Sequence, residues 1–254
     1  MENIFLTIAA GVLGACIGSF LNVVIYRVPA EESIVSPLSR CPHCKTPIRP
    51  RDNIPIVSYF ILKGKCRDCG AEFSPRYALV EALTAAIAVI LFLKFGPTMK
   101  FVCSFAFAAA LTAITFIDLD HQIIPDVISL PGIPLFMLAA VFFMGLTWKD
   151  SLIGILVGGG TLFLIAFSYE FITGREGMGG GDIKLLAMMG AFLGWESLLF
   201  ILLVSSFLGA LVGIVFMAFK GADWKFAIPF GPFLSIAAFA YIFYGHVLTN
   251  FLFW

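Results

Sequence analysis

The sequence predicts an all-α polytopic membrane protein with about eight transmembrane helices and a small zinc-binding cytoplasmic domain between the first and second. Three observations carry that expectation. Hydrophobic residues make up 60% of the 254 and charged ones 13%, against about a quarter charged in soluble domains. Twenty-eight Phe and a mean hydropathy of +1.00 cannot be hidden inside a globule of this size. Lys and Arg also gather on one side of the apolar stretches. The composition excludes a soluble enzyme, a disordered linker and a nucleic-acid binder, while the balance of sixteen basic and sixteen acidic residues says nothing about partners.

A helix needs about 20 apolar residues to cross the hydrocarbon core. The expected spans are Ile4–Ile25, Tyr77–Phe95, Phe101–Ile117, Val127–Leu146, Leu152–Ile172, Ile183–Gly194, Leu198–Phe219 and Ile228–Phe253. The sixth is short and flanked by glycine. The first lacks a small-residue cleavage site and runs on into Asn22 and Arg27, so it reads as an anchor and not a removed signal. With the N-terminus outside, thirteen Lys and Arg fall on the cytoplasmic side, among them Arg27, Arg40, Arg49, Arg76, Lys184 and Lys225. Only Lys94, Lys100 and Lys149 fall opposite, which sets the orientation. The expected organisation is 1–26 as first span, 27–76 as cytoplasmic zinc domain and 77–254 as the remaining membrane domain. Glycine pairs four apart (Gly14/Gly18, Gly190/Gly194, Gly209/Gly213) predict close helix packing within the chain. No internal repeat is evident.

The loop after the first span holds Cys41-Pro-His-Cys44 and Cys66-Arg-Asp-Cys69, with twenty-one residues between the pairs. Two such knuckles set four thiolates at tetrahedral distance, which suits a closed structural zinc. The loop has few large apolar residues, so a metal would stand in for a core it cannot build. Two disulfides are the rival, but the loop faces a reducing compartment. His43 is read as a bystander, and Cys16 and Cys103 as small packing residues.

Acids near bilayer depth are costly and call for a reason. Snorkelling from helix ends suffices for Glu81 and Glu170. Two segments are more telling, Asp118-Leu-Asp120-His-Gln-Ile-Ile-Pro125-Asp126 and Gly177-Met-Gly179-Gly180-Gly181-Asp182-Ile-Lys184, and the topology puts both on one membrane face. Capping would explain Asp126, solvation would explain Asp120, and Asp182 could be an N-cap. Asp118 is harder to dismiss, because it sits at a helix C-terminus where the macrodipole disfavours an anion. Two facing carboxylates offer a defined chemistry: one activates water as base while the other, protonated, donates to the scissile carbonyl. On helix-end grounds Asp182 is the expected resting base and Asp118 the acid. The glycines would let backbone or an extended substrate approach Asp182. A phosphate loop is disfavoured, since no Gly-Lys-Ser/Thr follows.

With these segments in view, the sequence closely resembles the type 4 prepilin peptidases, bifunctional membrane aspartic proteases. The likeness runs through Gly18-Ser-Phe-Leu-Asn22-Val-Val-Ile-Tyr-Arg27, both cysteine pairs, Arg49-Pro-Arg-Asp-Asn53-Ile-Pro55 and Arg76-Tyr-Ala-Leu-Val-Glu81. It continues through both aspartate segments and Pro229-Phe-Gly231-Pro232. Gly-x-Gly-Asp alone also occurs in presenilin-like proteases; the two aspartate segments together are specific. The resemblance implies that Asp118 and Asp182 are catalytic, with Gly177, Gly179, Gly180, Gly181 and Lys184 forming the active-site loop. Gly180 stands where the family usually carries Tyr. It further implies cleavage of the basic leader of type IV prepilins and related pseudopilins on the cytoplasmic face of the inner membrane, after Gly and usually before Phe. The new amine would then be methylated from S-adenosylmethionine. No strand–glycine–helix unit nominates a donor site. Glu31, Glu32 and Asp120 are the acids available to a basic leader. A proton-coupled carrier and a catalytically inert zinc-bearing scaffold are the competing readings.

Overall fold

The computed structural model describes residues 2–174, 179–220 and 229–253, all helical or irregular, with no strand among them beyond isolated bridges. The chain divides into two compact units, Met1–Ala113 and Ile114–Trp254.

In the first unit, α1 (Glu2–Arg27) and α3 (Arg76–Phe95) pack lengthwise, and the loop between them carries a 3-10 turn at Pro50–Asp52 and the short α2 (Val57–Ile61). The contact is made by absent side chains. A Cβ on Gly14 would lie 2.6 Å from the Ala88 side chain, and one on Gly18 would lie 2.7 Å from the Glu81 backbone. Lipid gives little drive to bury apolar surface between helices, so close backbone approach is what joins them. Val80, Thr84, Ala88 and Leu91 are buried along this seam, while Ile4, Phe5, Ile8 and Val12 stay exposed as a face for lipid.

α4 (Met99–His121) carries the unit boundary. It is followed in the second unit by α5 (Asp126–Ala139) with a π-helical turn at Ala140–Met144, then α6 (Trp148–Thr173), α7 (Gly180–Leu193), α8 (Glu196–Lys220) and α9 (Gly231–Phe253). Pro131 and Pro134 lie inside α5, where each removes a backbone donor. α7 is the hub, touching α5, α6, α8 and α9, and Leu185 through Phe192 are buried without interruption. Its closest neighbour is α6. A Cβ on Gly190 would collide with the backbone of Gly154, and one on Gly158 would lie 2.7 Å from the Leu186 carbonyl. Ser151 Oγ adds a 2.6 Å bond to the Ala191 carbonyl.

Among the described residues six helices are long and apolar enough to cross a membrane: Ile4–Arg27, Arg76–Phe95, Met99–His121, Asp126–Met144, Trp148–Thr173 and Glu196–Ala218. The chain is a multi-pass membrane protein. The expected sixth span corresponds to α7, whose 14 residues rise about 21 Å, short of the roughly 30 Å core. The expected eighth corresponds to α9. The glycine pairs also need revision. Gly14/Gly18 packs as expected, and so does Gly190, whose partner is Gly154 on α6. Gly194 caps α7 at φ +82°, and Gly209 meets Phe233 only at an ordinary 3.6 Å.

Candidate active site and metal centre

Asp118 lies in the last turn of α4, just after the buried Phe116 and Ile117, and is itself only 5% exposed. The helix ends because Gln122 takes a left-handed φ of +53°. The chain then runs extended through Ile124 to Pro125, which caps α5. Asp118 Oδ2 accepts the Gly231 N–H at 2.9 Å, so the first residue of α9 brings a helix N-terminus to this carboxylate. A Cβ on residue 231 would lie 2.7 Å from the same oxygen. A larger residue would have to push the carboxylate aside.

Asp182 is the third residue of α7, half-buried, and the N-cap is Gly179. The capping explanation for Asp182 therefore fails. Gly181 sits against the α4–α5 connection, where a Cβ would be 2.8 Å from the Ile124 side chain. That approach draws the first turn of α7 toward the end of α4, and Asp118 and Asp182 are near enough for their charges to interact. Asp118 thus meets the N-terminus of α9 as well as the C-terminus of its own helix, so helix ends alone do not separate the roles of the two acids. Gly179 and Gly180 are exposed, with nothing within 4 Å of a built Cβ. Among the described residues, none would obstruct the larger side chain usual at Gly180. Gly177 lies outside the described residues.

Lys184, two residues beyond Asp182 in the expected loop, points to α5. Its Nζ donates to both oxygens of Asp126 at 2.7 and 2.8 Å. Asp126 is thus the first residue of α5 and an ion-pair partner, not a cap. Asp120 and Glu170 are exposed.

In the first unit Glu81 is buried and accepts the Ile56 N–H at 2.7 Å. Snorkelling does not describe it. Arg27 is buried as well, donating to the carbonyls of Ser33 at 2.8 Å and Pro37 at 2.7 Å. Sequence reasoning missed the Gly231 donor, the Asp126–Lys184 pair and the Glu81–Ile56 bond. The Phe-Gly-Pro motif at 230–232 was the available signal for the first.

The sulfurs of Cys41, Cys44, Cys66 and Cys69 all lie within 4.8 Å of one another and could hold a metal ion. The Cys41–Cys69 and Cys44–Cys66 separations are 3.8 and 4.0 Å. Four thiolates about 2.3 Å from a tetrahedral zinc stand roughly 3.8 Å apart, so the donor set fits. Each knuckle is built alike. The residue after the second Cys is left-handed (Lys45 at φ +60°, Gly70 at φ +71°), and antiparallel bridges Arg40–Pro47 and Lys65–Glu72 close the turns. The two knuckles expected from the cysteine spacing thus share one backbone plan. Thr46, through side chain and backbone, draws the Cys44 thiol down to about 6. His43 is exposed and outside the cluster.

Residues 12–95 match the bacterial peptidase A24 N-terminal domain, and residues 105–214 match the type IV leader peptidase family. The chain belongs to the type IV leader peptidase family. It is 38% identical to a prepilin leader peptidase/N-methyltransferase of Pseudomonas aeruginosa, over 94% of this chain and 90% of that protein. It is 39% identical to the protein so named in Dichelobacter nodosus, over 92% and 90%. It is 38% identical to that of Aeromonas hydrophila, over 92% and 89%. No solved structure matches significantly.

Proposed function

We propose that this protein is a membrane aspartic endopeptidase and N-methyltransferase that cleaves the leader of type IV prepilins and type II secretion pseudopilins, with Asp118 and Asp182 as its catalytic pair. The reading places it in the bacterial inner membrane with its site facing the cytoplasm, residues 27–76 forming the metal-bearing module and 77–254 the protease. One observation carries it. Two acids sixty-four residues apart in sequence converge at the ends of α4 and α7, one buried and held by a backbone donor, beside the exposed glycines Gly179 and Gly180.

The geometry suits general acid–base hydrolysis. The ionised carboxylate removes a proton from a water lying between the acids, and that water's oxygen attacks the scissile carbonyl. The protonated carboxyl donates to the carbonyl oxygen. As the tetrahedral species collapses, the C–N bond breaks, the amine leaves with the proton that the base had taken, and one hydroxyl returns its proton to the other carboxylate to give the product acid. Because Gly231 fixes Asp118 Oδ2 as an acceptor, a proton on Asp118 belongs on Oδ1. The two acids titrate as a pair.

Cys41, Cys44, Cys66 and Cys69 would hold a structural Zn2+, which cross-links the two knuckles. S-adenosylmethionine, when bound, would supply a sulfonium methyl group for the new amine, which would shed a proton on methylation. Co-expression with a prepilin tests the peptidase. Asp118→Asn and Asp182→Asn should each slow shortening on a gel by at least about a thousandfold. Processing that persists in either variant overturns the assignment.

A further inference from the structure

A hydroxyl buried in a helix ordinarily turns back to the carbonyl four residues earlier. Thr84, Thr112 and Ser129 do so, toward Val80, Ala108 and Pro125 at 2.7, 2.8 and 3.1 Å. Ser151 and Ser197 reach other carbonyls, each at 2.6 Å. Ser235 on α9 does neither. It is 6% exposed, and its Oγ is the one buried side-chain nitrogen or oxygen among the described residues without a hydrogen-bond partner. Leaving a buried hydroxyl unpaired is costly, so such a group calls for a reason, and a place in the chemistry is one.

Its position on the helix supplies that reason. Gly231, Leu234, Ser235 and Ala238 lie on one buried face of α9, while Ile236 on the far side is exposed. Gly231 heads this face and holds the first acid of the pair. Its N–H donates to Asp118 Oδ2 at 2.9 Å, and a Cβ built on it would lie 2.7 Å from the same oxygen. Ser235 follows one turn later. Cβ positions four residues apart on a helix are about 5–6 Å from each other, and helical side chains lean toward the N-terminus, which here is the Asp118 end. One water making two hydrogen bonds of about 2.8 Å spans such a gap.

We propose that Ser235 is a positioning residue for the peptidase reaction, its hydroxyl holding a water against Oδ2 of Asp118. The inference rests on the catalytic role given to Asp118 above. A carboxylate oxygen has room for two hydrogen bonds. Gly231 makes one at Oδ2 and the water makes the other. With Oδ2 filled, the carboxyl group cannot swing, and Oδ1 is left for the attacking water and the scissile carbonyl. The relayed donor also favours the ionised form of the acid. Asp182 on α7 is the titratable group whose charge reaches Asp118, whereas Lys184 is spent on Asp126. Ser235 therefore biases how the pair shares its proton without touching the substrate.

Prepilin cleavage by full-length variants in detergent, followed across pH, tests the role. Ser235→Ala removes the hydroxyl, so kcat should fall about threefold to tenfold with KM within about twofold of wild type, and a limb of the pH–rate profile should move about half a unit to higher pH. Its thermal midpoint should be no lower than that of wild type. Ser235→Thr keeps the hydroxyl and should restore both rate and profile. A wild-type rate and profile in Ser235→Ala overturns the proposal. So does a lower rate with an unmoved profile, which would mean that Ser235 only packs α9. Should the extra methyl of Ser235→Thr prevent folding, Ser235→Cys decides, since it keeps the size and offers only a weak donor; its profile should follow that of Ser235→Ala, and a wild-type profile overturns the role. A wild type that leaves prepilin uncut sinks the peptidase reading as well, whereas normal cleavage with a profile indifferent to residue 235 sinks Ser235 alone.

Discussion

The cysteine loop and the aspartate end of the second unit solve opposite problems with different materials. The loop has almost no apolar interior; Val35 and Leu38 are more than 80% exposed, and Phe60 and Ile61 about 70%. Its shape comes from four sulfurs, exposed ion pairs and carbonyls gripped by Arg27. The aspartate end has apolar residues in excess, yet hydrophobic burial does little to order helices that lipid already solvates. There the position of each helix is set by side chains left out: Gly154 against Gly190, Gly181 against Ile124, Gly231 against Asp118. A region without a core is specified by ligands and charge, and a region that is all core is specified by glycine.

The sharpest way to break this contrast is to remove two sulfurs. A Cys41→Ser, Cys44→Ser double variant should release the metal and leave the loop open to protease within residues 30–75, because a structural zinc supplies on the order of 10 kcal/mol to the fold it closes. The helices of the second unit should keep their protection. Cleavage throughout the chain would show that the loop is not a separate unit of stability. Next in size is Gly190→Val. Its side chain would meet the Gly154 backbone, which cannot rotate away, so about 3 kcal/mol of stability should be lost, read as a fall in the thermal midpoint in detergent. Gly209→Val, by contrast, should cost little, since nothing crowds Gly209.

The sequence made the long helices visible because an apolar window of spanning length leaves few alternatives, as in α1, α3, α6 and α8. It made Asp118 visible because an acid at a helix C-terminus has no easy excuse. What it hid were partners reached through backbone. The Gly231 N–H leaves no side chain to read, and the acceptor for Ile56 lies twenty-five residues away on another helix. Gly154 was missed because the glycine pairs were sought within single helices, whereas the contact joins α6 to α7. The short α7 was hardest to judge. A helix buried on every side shows no amphipathic face, and one enclosed by protein need not match the bilayer in length.

Two smaller changes sharpen the glycine side of the comparison. Gly231→Ala should push the Asp118 carboxylate off its donor and lower prepilin cleavage by roughly 10- to 100-fold, about 1.4–2.7 kcal/mol, with nearly unchanged thermal stability. A large drop in stability with normal cleavage per folded molecule would mean that Gly231 serves packing alone. Lys184→Met should cut cleavage about threefold to tenfold by freeing the start of α7 from α5. The exposed pair itself contributes only about 0.2–1 kcal/mol to stability. The charge-swapped double variant Asp126→Lys, Lys184→Asp should recover part of the rate, and no recovery would argue that Lys184 acts otherwise than by holding Asp126.

The smallest effect tests the charge side. Arg67 donates to Asp52 at 2.6 and 2.9 Å. These bonds first, and the guanidinium charge next, hold the Asp52 carboxyl below the usual carboxylate range. A carboxyl lowered by folding adds stability above its unfolded value of about 3.9, and the gain disappears as pH falls through the lower folded value. Comparing wild type with Asp52→Asn at each pH isolates this pair, because protonation of the four cysteine thiolates weakens both proteins alike. With zinc in excess, amide exchange across residues 49–69 should be faster in the variant by the same factor at pH 7 and pH 5. The two proteins should converge as pH drops toward 3. A gap that persisted there would mean that Asp52 holds the turn by geometry and not by charge, and ion pairs would then have to be struck from what shapes the loop.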